Sequence, residues 1–311
     1  MKWSATAPSN IALIKYMGKT DASVNLPTNA SLSYTLNALT STVEIVPSNA
    51  SSDSWLPLVN TFKLSTQSQN RFLSHLQRLK EYFKYTGHFH VASCNSFPLG
   101  CGLASSASSF AALTKCAVIA LSELTNRPLL SLAEQAMLSR QGSGSSCRSF
   151  FSPWARWHDD FAQEVTLPYQ TLLHQVIVIS DKEKAISSSK AHRLVTTSPA
   201  FNGRIQRAED RLINLTSALN TRTWETAFEL CWAEFIDMHH LFQTAQTPFD
   251  YMTDSCRTAL HLLDKFWGIE GNGPLVTMDA GPNIHLLYRP EDKALKEKFE
   301  HDHLKGRFNV I

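Results

Sequence analysis

The chain has 311 residues, 43% hydrophobic and 18% charged, enough to bury one large core or two moderate ones. Lysine and arginine total 29 against 27 acids, a formal net charge of +2, and the bases are scattered without interleaved aromatics, which excludes the electrostatic footprint of a nucleic-acid binder. Its 6 cysteines show no C-x-x-C pair and no zinc-like spacing to histidine, and neither a signal-peptide core nor a membrane-length apolar run occurs, so a reduced cytosolic protein with free thiols is expected.

Lys2 to Ala7 predicts a strand ended by Pro8, and Ile11 to Ile14 a second apolar run leading into Lys15, Tyr16, Gly18 and Lys19. A lysine directly after four weakly polar residues is either a solvated charge at a strand end or a partly buried one with an anion partner. Asn25 to Asn29 reads as a turn, Ser31 to Leu39 and Thr42 to Pro47 as paired strands, Ser48 to Ser54 as an exposed turn, and Leu56 to Leu64 as another strand. Phe72, Leu76, Leu79 and Phe83 recur at helical spacing and predict an amphipathic helix from Asn70 to Tyr85. Arg71 lies off that stripe, as a solvent charge or an anion ligand.

His88 to Cys94 alternates like a strand and leads into NSFPLGCGLASSASS, Asn95 to Ser109. Glycines there let backbone approach a ligand, while Ser105, Ser106, Ser108 and the first amides of a helix from Ser105 to Leu124 can donate to an anion, which is the build of a phosphate cradle. A Walker loop is excluded, since no Gly-Lys-Ser/Thr end is present. Gly100, Gly102 and Ser105, with Glu123 placed for a ribose, fit a dinucleotide fingerprint, but Asn95 to Pro98 is too much chain for its tight turn. A Ser/Gly loop that merely caps a core helix is the other reading.

Leu129 to Leu138 reads as a shorter helix ending at Arg140-Gln141-Gly142. From Gly142 to Ser149, small residues surround Arg148, either as a fork for bidentate capture of a phosphate or carboxylate or as a flexible loop with a solvated arginine. Leu173 to Ser180 is an apolar strand, and beyond it the composition changes; Asp181 to Lys190, with Ser187, Ser188 and Ser189, is a linker or a loop over a site. Two helices follow, one marked by Ile205, Ala208, Leu212, Leu215 and Leu219, the other spanning Thr223 to Phe242. His239 and His240 are adjacent and point different ways, so no shared metal is expected. Pro274 to Met278 and Ile284 to Tyr288 are strands joined by a turn in which Asp279, at a strand end, is a base, a charge stabiliser or simply a turn residue.

Taken jointly, PSNIALIKYMGK, LPTNASLSYTL, GLASSASSFAAL, GSGSSCRS and MDAGPN, in this order, closely resemble the diphosphomevalonate decarboxylases of the GHMP kinase superfamily over nearly the whole chain. The resemblance implies an α+β, two-domain GHMP kinase-like fold, with a nucleotide-binding domain over residues 1–182, a C-terminal domain over 183–311, the active site in the interdomain cleft, and a homodimer. It implies that ATP, with Mg2+, phosphorylates the tertiary hydroxyl of mevalonate diphosphate, after which phosphate leaves and carbon dioxide is lost to give isopentenyl diphosphate. No membrane or nucleic acid is expected as a partner.

By motif, the resemblance makes Asp279 the catalytic aspartate, Arg148 the holder of the substrate carboxylate, and Lys15 the lysine that orders this cluster and stabilises charge on the transferred phosphate. It gives Tyr16, Lys19, Arg71, Ser143, Ser145 and Ser188 to substrate, and Asn95, Gly102, Leu103, Ala104, Ser105, Ser106 and Ser108 to the nucleotide, with no protein metal ligand. The chain departs from the family pattern at Leu99-Gly100, at Ser152-Pro153, at Lys190-Ala191-His192 and at Met17. The rivals are a mevalonate or phosphomevalonate kinase of the same superfamily, a dinucleotide-binding oxidoreductase and a noncatalytic binding protein.

Overall fold

The computed structural model describes residues 1–97, 105–182 and 185–311. β1 (Trp3–Ile14) runs through Pro8 as one strand instead of stopping there, with its register shifting between Pro8 and Ser9. Such an irregularity is where a residue without an N–H is tolerated in a sheet. A short ribbon of β2 (Lys19–Asp21) and β3 (Leu26–Pro27) precedes β4 (Ser31–Ser48), a single strand where the sequence reads as a hairpin. Ala38 to Ser41 offers no residue suited to the positive φ of a two-residue turn, so the strand continues.

β5 (Ser54–Pro57) is shorter than its apolar run, and α1 (Thr66–Phe83) begins before the predicted Asn70 because the Ser65 side chain caps it by accepting from the Ser68 amide. β6 (His88–Asn95) and α2 (Ser105–Leu124) follow the reading closely. α2 is long and apolar enough to cross a membrane by length and composition, but it is mostly buried inside the protein. α3 (Leu132–Gly142) starts at a capping box made by Ser131 and Glu134, and β7 (Trp154–His158) and β8 (Phe161–Glu164) are strands the sequence reading lacks. In the first sheet, ordered β5-β6-β4-β7-β8, β4 is the spine, with β1 antiparallel beside it. Phe72, Leu76, Phe110, Leu113 and Ala117 of α1 and α2 cover the sheet with Val43 and Val91.

The second half holds β9 (Leu173–Val178), α4 (Ser188–Leu194), α5 (Arg204–Asn220), α6 (Trp224–Gln243), α7 (Asp254–Glu270), β10 (Leu275–Met278), β11 (Ile284–Tyr288), α8 (Lys293–Phe299) and β12 (Asn309–Val310). Its sheet is antiparallel, in the order β10-β11-β9-β12, so β9 belongs by hydrogen bonding to this half. Ile11, Leu13, Leu32 and Trp154 share one buried core with Leu212, Leu215, Cys231 and Leu275, which fastens the inner end of β1 to α5, α6 and β10. The Thr277 hydroxyl donates directly to the Ala12 carbonyl at 3.1 Å. That seam brings the last residues of β1 and β10 together.

Candidate active site

Lys15 follows the end of β1 and Asp279 the end of β10, and the seam between the halves joins them. Lys15 is 2% exposed, and its Nζ donates to Asp279 Oδ1 at 2.7 Å although 264 positions separate them in sequence. Burial lowers the Lys15 ammonium's pKa, opposed by the charges of Asp279 and Glu234. For Asp279 burial pushes upward, but the Lys15 ammonium, His285 and Arg148 outweigh it and hold the carboxyl below its ordinary value. The result is an ionised carboxylate at a cleft, able to accept a proton or balance positive charge.

Arg148 lies in a 3₁₀ turn (Gly144–Phe150) and is 4% exposed, not solvated on a flexible loop. Its Nε donates to Asn10 Oδ1 at 3.2 Å, its Nη1 to Ser31 Oγ at 2.9 Å, and its guanidinium lies 5.7 Å from the Trp157 ring centre. Asn10 in turn donates to the Ser145 carbonyl and to Ser149 Oγ, so one buried amide orients the whole turn. Gly144 is required there: a Cβ would meet the Tyr16 ring at 2.8 Å. Tyr16 lies between Trp157 and the His192 ring, and its hydroxyl is buried with no partner among the described residues. Polar atoms rarely stay in that state without a ligand or water.

Behind Lys15 stands a buried charge network that the sequence reading missed. Arg204, Arg207 and Arg211, spaced along one face of α5, meet Glu234 and Asp237 of α6. Glu234 Oε1 accepts from the Lys15 main-chain amide at 2.9 Å, and Arg204 Nη2 donates to the Lys15 carbonyl at 3.4 Å. The i, i+3, i+7 spacing of the arginines against acids at i, i+3 was a legible signal.

A cavity of about 620 Å³ has Lys19, Arg71, Arg78, Gln141, Ser189 and Arg193 on its walls. No acidic residue lines it among the described residues, so its walls are basic. Lys19 donates to Asn25 Oδ1, and burial together with Arg71 and Arg193 lowers its pKa to about 8. Lys15, Arg148 and Asp279 do not line the cavity, but the segment from Lys15 to Lys19 reaches from one site to the other.

The remaining predicted residues divide. Ser143 Oγ donates to Ser106 Oγ at 3.4 Å, bringing the Arg148 turn to the start of α2, and Arg71 faces the pocket. Asn95 has a buried Nδ2 with no partner among the described residues. Ser108 instead faces the sheet: it is fully buried, with its hydroxyl against Ser41 Oγ at 2.7 Å, because the helical turn that exposes Ser106 carries Ser108 inward. Ser188 opens α4 and is exposed. Gly102, Leu103 and Ala104, with Leu99-Gly100, lie outside the described residues. Of the departures, Met17 packs with Ala191 of α4 and with Val195 just after it, while His192 Nδ1 accepts the Gly18 amide at 3.0 Å. Ser152-Pro153 is a cis peptide whose Pro153 carbonyl accepts from Thr35. Glu123, at the far end of α2, accepts from Trp3 Nε1 at 2.7 Å, which removes the ribose partner the dinucleotide reading needs.

Two mixed halves joined along a seam, with a lysine–aspartate pair, a fixed arginine and a basic cavity, define a GHMP kinase-like protein. The Diphosphomevalonate decarboxylase-like N-terminal domain matches residues 7–167, and the Mevalonate 5-diphosphate decarboxylase C-terminal domain matches 175–302. The chain belongs to the diphosphomevalonate decarboxylase family. It is 55% identical to a mevalonate diphosphate decarboxylase from Legionella pneumophila, with a TM-score of 0.95 and all of both chains covered. A structure described as MDDEF in complex with MVAPP, AMPPCP and magnesium is 31% identical, with a TM-score of 0.89, covering 100% of this chain and 96% of that one. The diphosphomevalonate decarboxylase of Ganoderma lucidum is 32% identical over 93% of this chain and 78% of its own.

Proposed function

We propose that the protein is an ATP-dependent decarboxylase of mevalonate diphosphate, with Lys15, Asp279 and Arg148 as its reacting centre. The observation that carries this is the Lys15–Asp279 ion pair at the seam of the two halves, with Arg148 close enough to act on both charges. Arg148, held by Asn10 and Ser31, receives the substrate carboxylate. Asp279, kept ionised, orients the tertiary hydroxyl or takes its proton as ATP phosphorylates it. Lys15 stabilises the charge of the transferring group. When phosphate leaves the tertiary carbon and the carboxylate surrenders its electrons, Asp279 balances the positive character of that carbon.

The diphosphate end lies in the cavity of Lys19 and Arg71, with Tyr16, Ser143, Ser145 and Ser188 along the way. Four residues of chain from Lys15 to Lys19 span at most about 14 Å, a reach suited to a small acid bearing a diphosphate. ATP phosphates meet Ser105 and Ser106 at the start of α2 and Asn95 at the end of β6, and the family's pattern adds Gly102, Leu103 and Ala104, which lie outside the described residues. Mg2+ would accompany the nucleotide and balance the charge of the transferring phosphoryl group. The orphaned Asn95 Nδ2 and Tyr16 hydroxyl are suited to polar ligand atoms. The complex of the relative with MVAPP, AMPPCP and magnesium supports this ligand set.

By sheet membership we put the division between domains in the stretch between Glu164 and Leu173, earlier than the boundary after residue 182 that the sequence implies. A homodimer in the cytoplasm is part of the proposal on the family's pattern. The test is product stoichiometry: with MgATP and mevalonate diphosphate, ADP, phosphate and carbon dioxide form in equal amounts. ADP without carbon dioxide would make the protein a kinase instead.

A further inference from the structure

Helix α6 touches the main chain of both charged residues at the centre. Glu234 accepts the Lys15 amide at 2.9 Å, and five residues on, His239 Nε2 lies 3.2 Å from the Asp279 carbonyl oxygen. A carbonyl only accepts, so Nε2 carries the hydrogen and Nδ1 is left bare. That Nδ1 is buried with no partner among the described residues, although an unpaired buried polar atom is unfavourable. The ring is 1% exposed and set edgewise against Phe242 and Tyr251, so it has no freedom to turn toward another acceptor. An apolar side chain would fill this place without an orphaned nitrogen; what histidine adds is the bond to Asp279.

We propose that His239 is a positioning residue for the reaction: its Nε2–H, given to the Asp279 carbonyl, fixes the peptide plane that aims the Asp279 carboxylate at Lys15. This rests on reading the Lys15–Asp279 pair as the reacting centre. Asp279 stands where β10 gives way to a turn, and its carbonyl also accepts from the Gly281 amide at 2.8 Å. A turn held by that bond alone leaves the strand end free to rotate, whereas a donor from a packed helix pins it. The Thr277 bond to Ala12 joins the two strands just before the pair, and Glu234 and His239, about 7.5 Å apart along the helix axis, add a rigid span between the Lys15 and Asp279 main chains that the turn alone does not give. Burial lowers the His239 pKa to about 4, which keeps the ring neutral in neutral solution and makes it a fixed donor, not a proton shuttle.

Three variants test this by reach. A glutamine amide nitrogen falls near the place of Nε2, an asparagine nitrogen near that of Nδ1, and leucine has no donor. His239→Gln is expected to keep kcat within about 5-fold of wild type, while His239→Asn and His239→Leu lose at least about 10-fold in kcat, with KM for mevalonate diphosphate and MgATP held within about 2-fold. If the leucine variant does not fold, the comparison of glutamine with asparagine decides alone. Equal kcat in those two, or a loss expressed in KM, overturns the proposal. Asp279→Asn is measured beside them. If it stays active, the reading of the pair fails and the inference with it; if it is inactive while His239→Asn turns over normally, the inference alone falls.

Discussion

Lys19 shows how a single side chain ties the basic pocket to pH. Burial, and then the like charges of Arg71 and Arg193, bring its pKa to about 8 from an ordinary 10.5. The charged form therefore prevails below that value and is lost as pH rises through it, while a bound diphosphate restores it. kcat/KM for mevalonate diphosphate is expected to fall as pH rises through about 8, with kcat flat over the same range. Lys19→Gln should lower kcat/KM at pH 7 and abolish that limb; a variant that keeps the limb would remove Lys19 from substrate binding. At this scale the sequence left Lys15, Arg148 and Asp279 each with a bland alternative. Alternation and spacing report which residues are apolar, not which charges meet across 264 positions. Ser108 shows the opposite failure, since a run of hydroxyls in sequence does not say which of them the helix turns inward.

Among the elements, α5 and α6 hold the Lys15 backbone through a buried network in which Arg204 and Glu234 are both fully buried. Removing one partner of such a pair leaves charge stranded, so Glu234→Leu is expected to destabilise the protein by roughly 3–5 kcal/mol. The lower end of that range is expected because Asp237 still accepts from Arg204 and Arg211. Urea unfolding at neutral pH measures this, and a change below about 1 kcal/mol would show the network to be dispensable. Periodic helices such as α2 and α6 were legible because each buries a sustained stripe. α7 carries a comparable stripe through Cys256, Ala259, Leu263 and Phe266, as legible as theirs. β1 and β4 defeated a local reading because strand continuity across Pro8 and Thr40 is decided by the neighbouring strand, not by the residue at the break.

For the molecule as a whole, the fold class and the order of motifs were visible in the chain, whereas the seam was not. Ile11, Leu13, Leu212 and Leu275 read separately as ordinary core residues, and only tertiary packing reveals that they form one core joining the two sheets. The consequence of that shared core is a carboxylate from one half set against an ammonium from the other. The measurement that bears most directly on this is the release of carbon dioxide from carboxyl-labelled mevalonate diphosphate at saturating MgATP, by wild type and by Asp279→Asn. The account predicts a loss of about 10²–10⁴-fold in the variant with substrate still bound; release at the wild-type rate would contradict it.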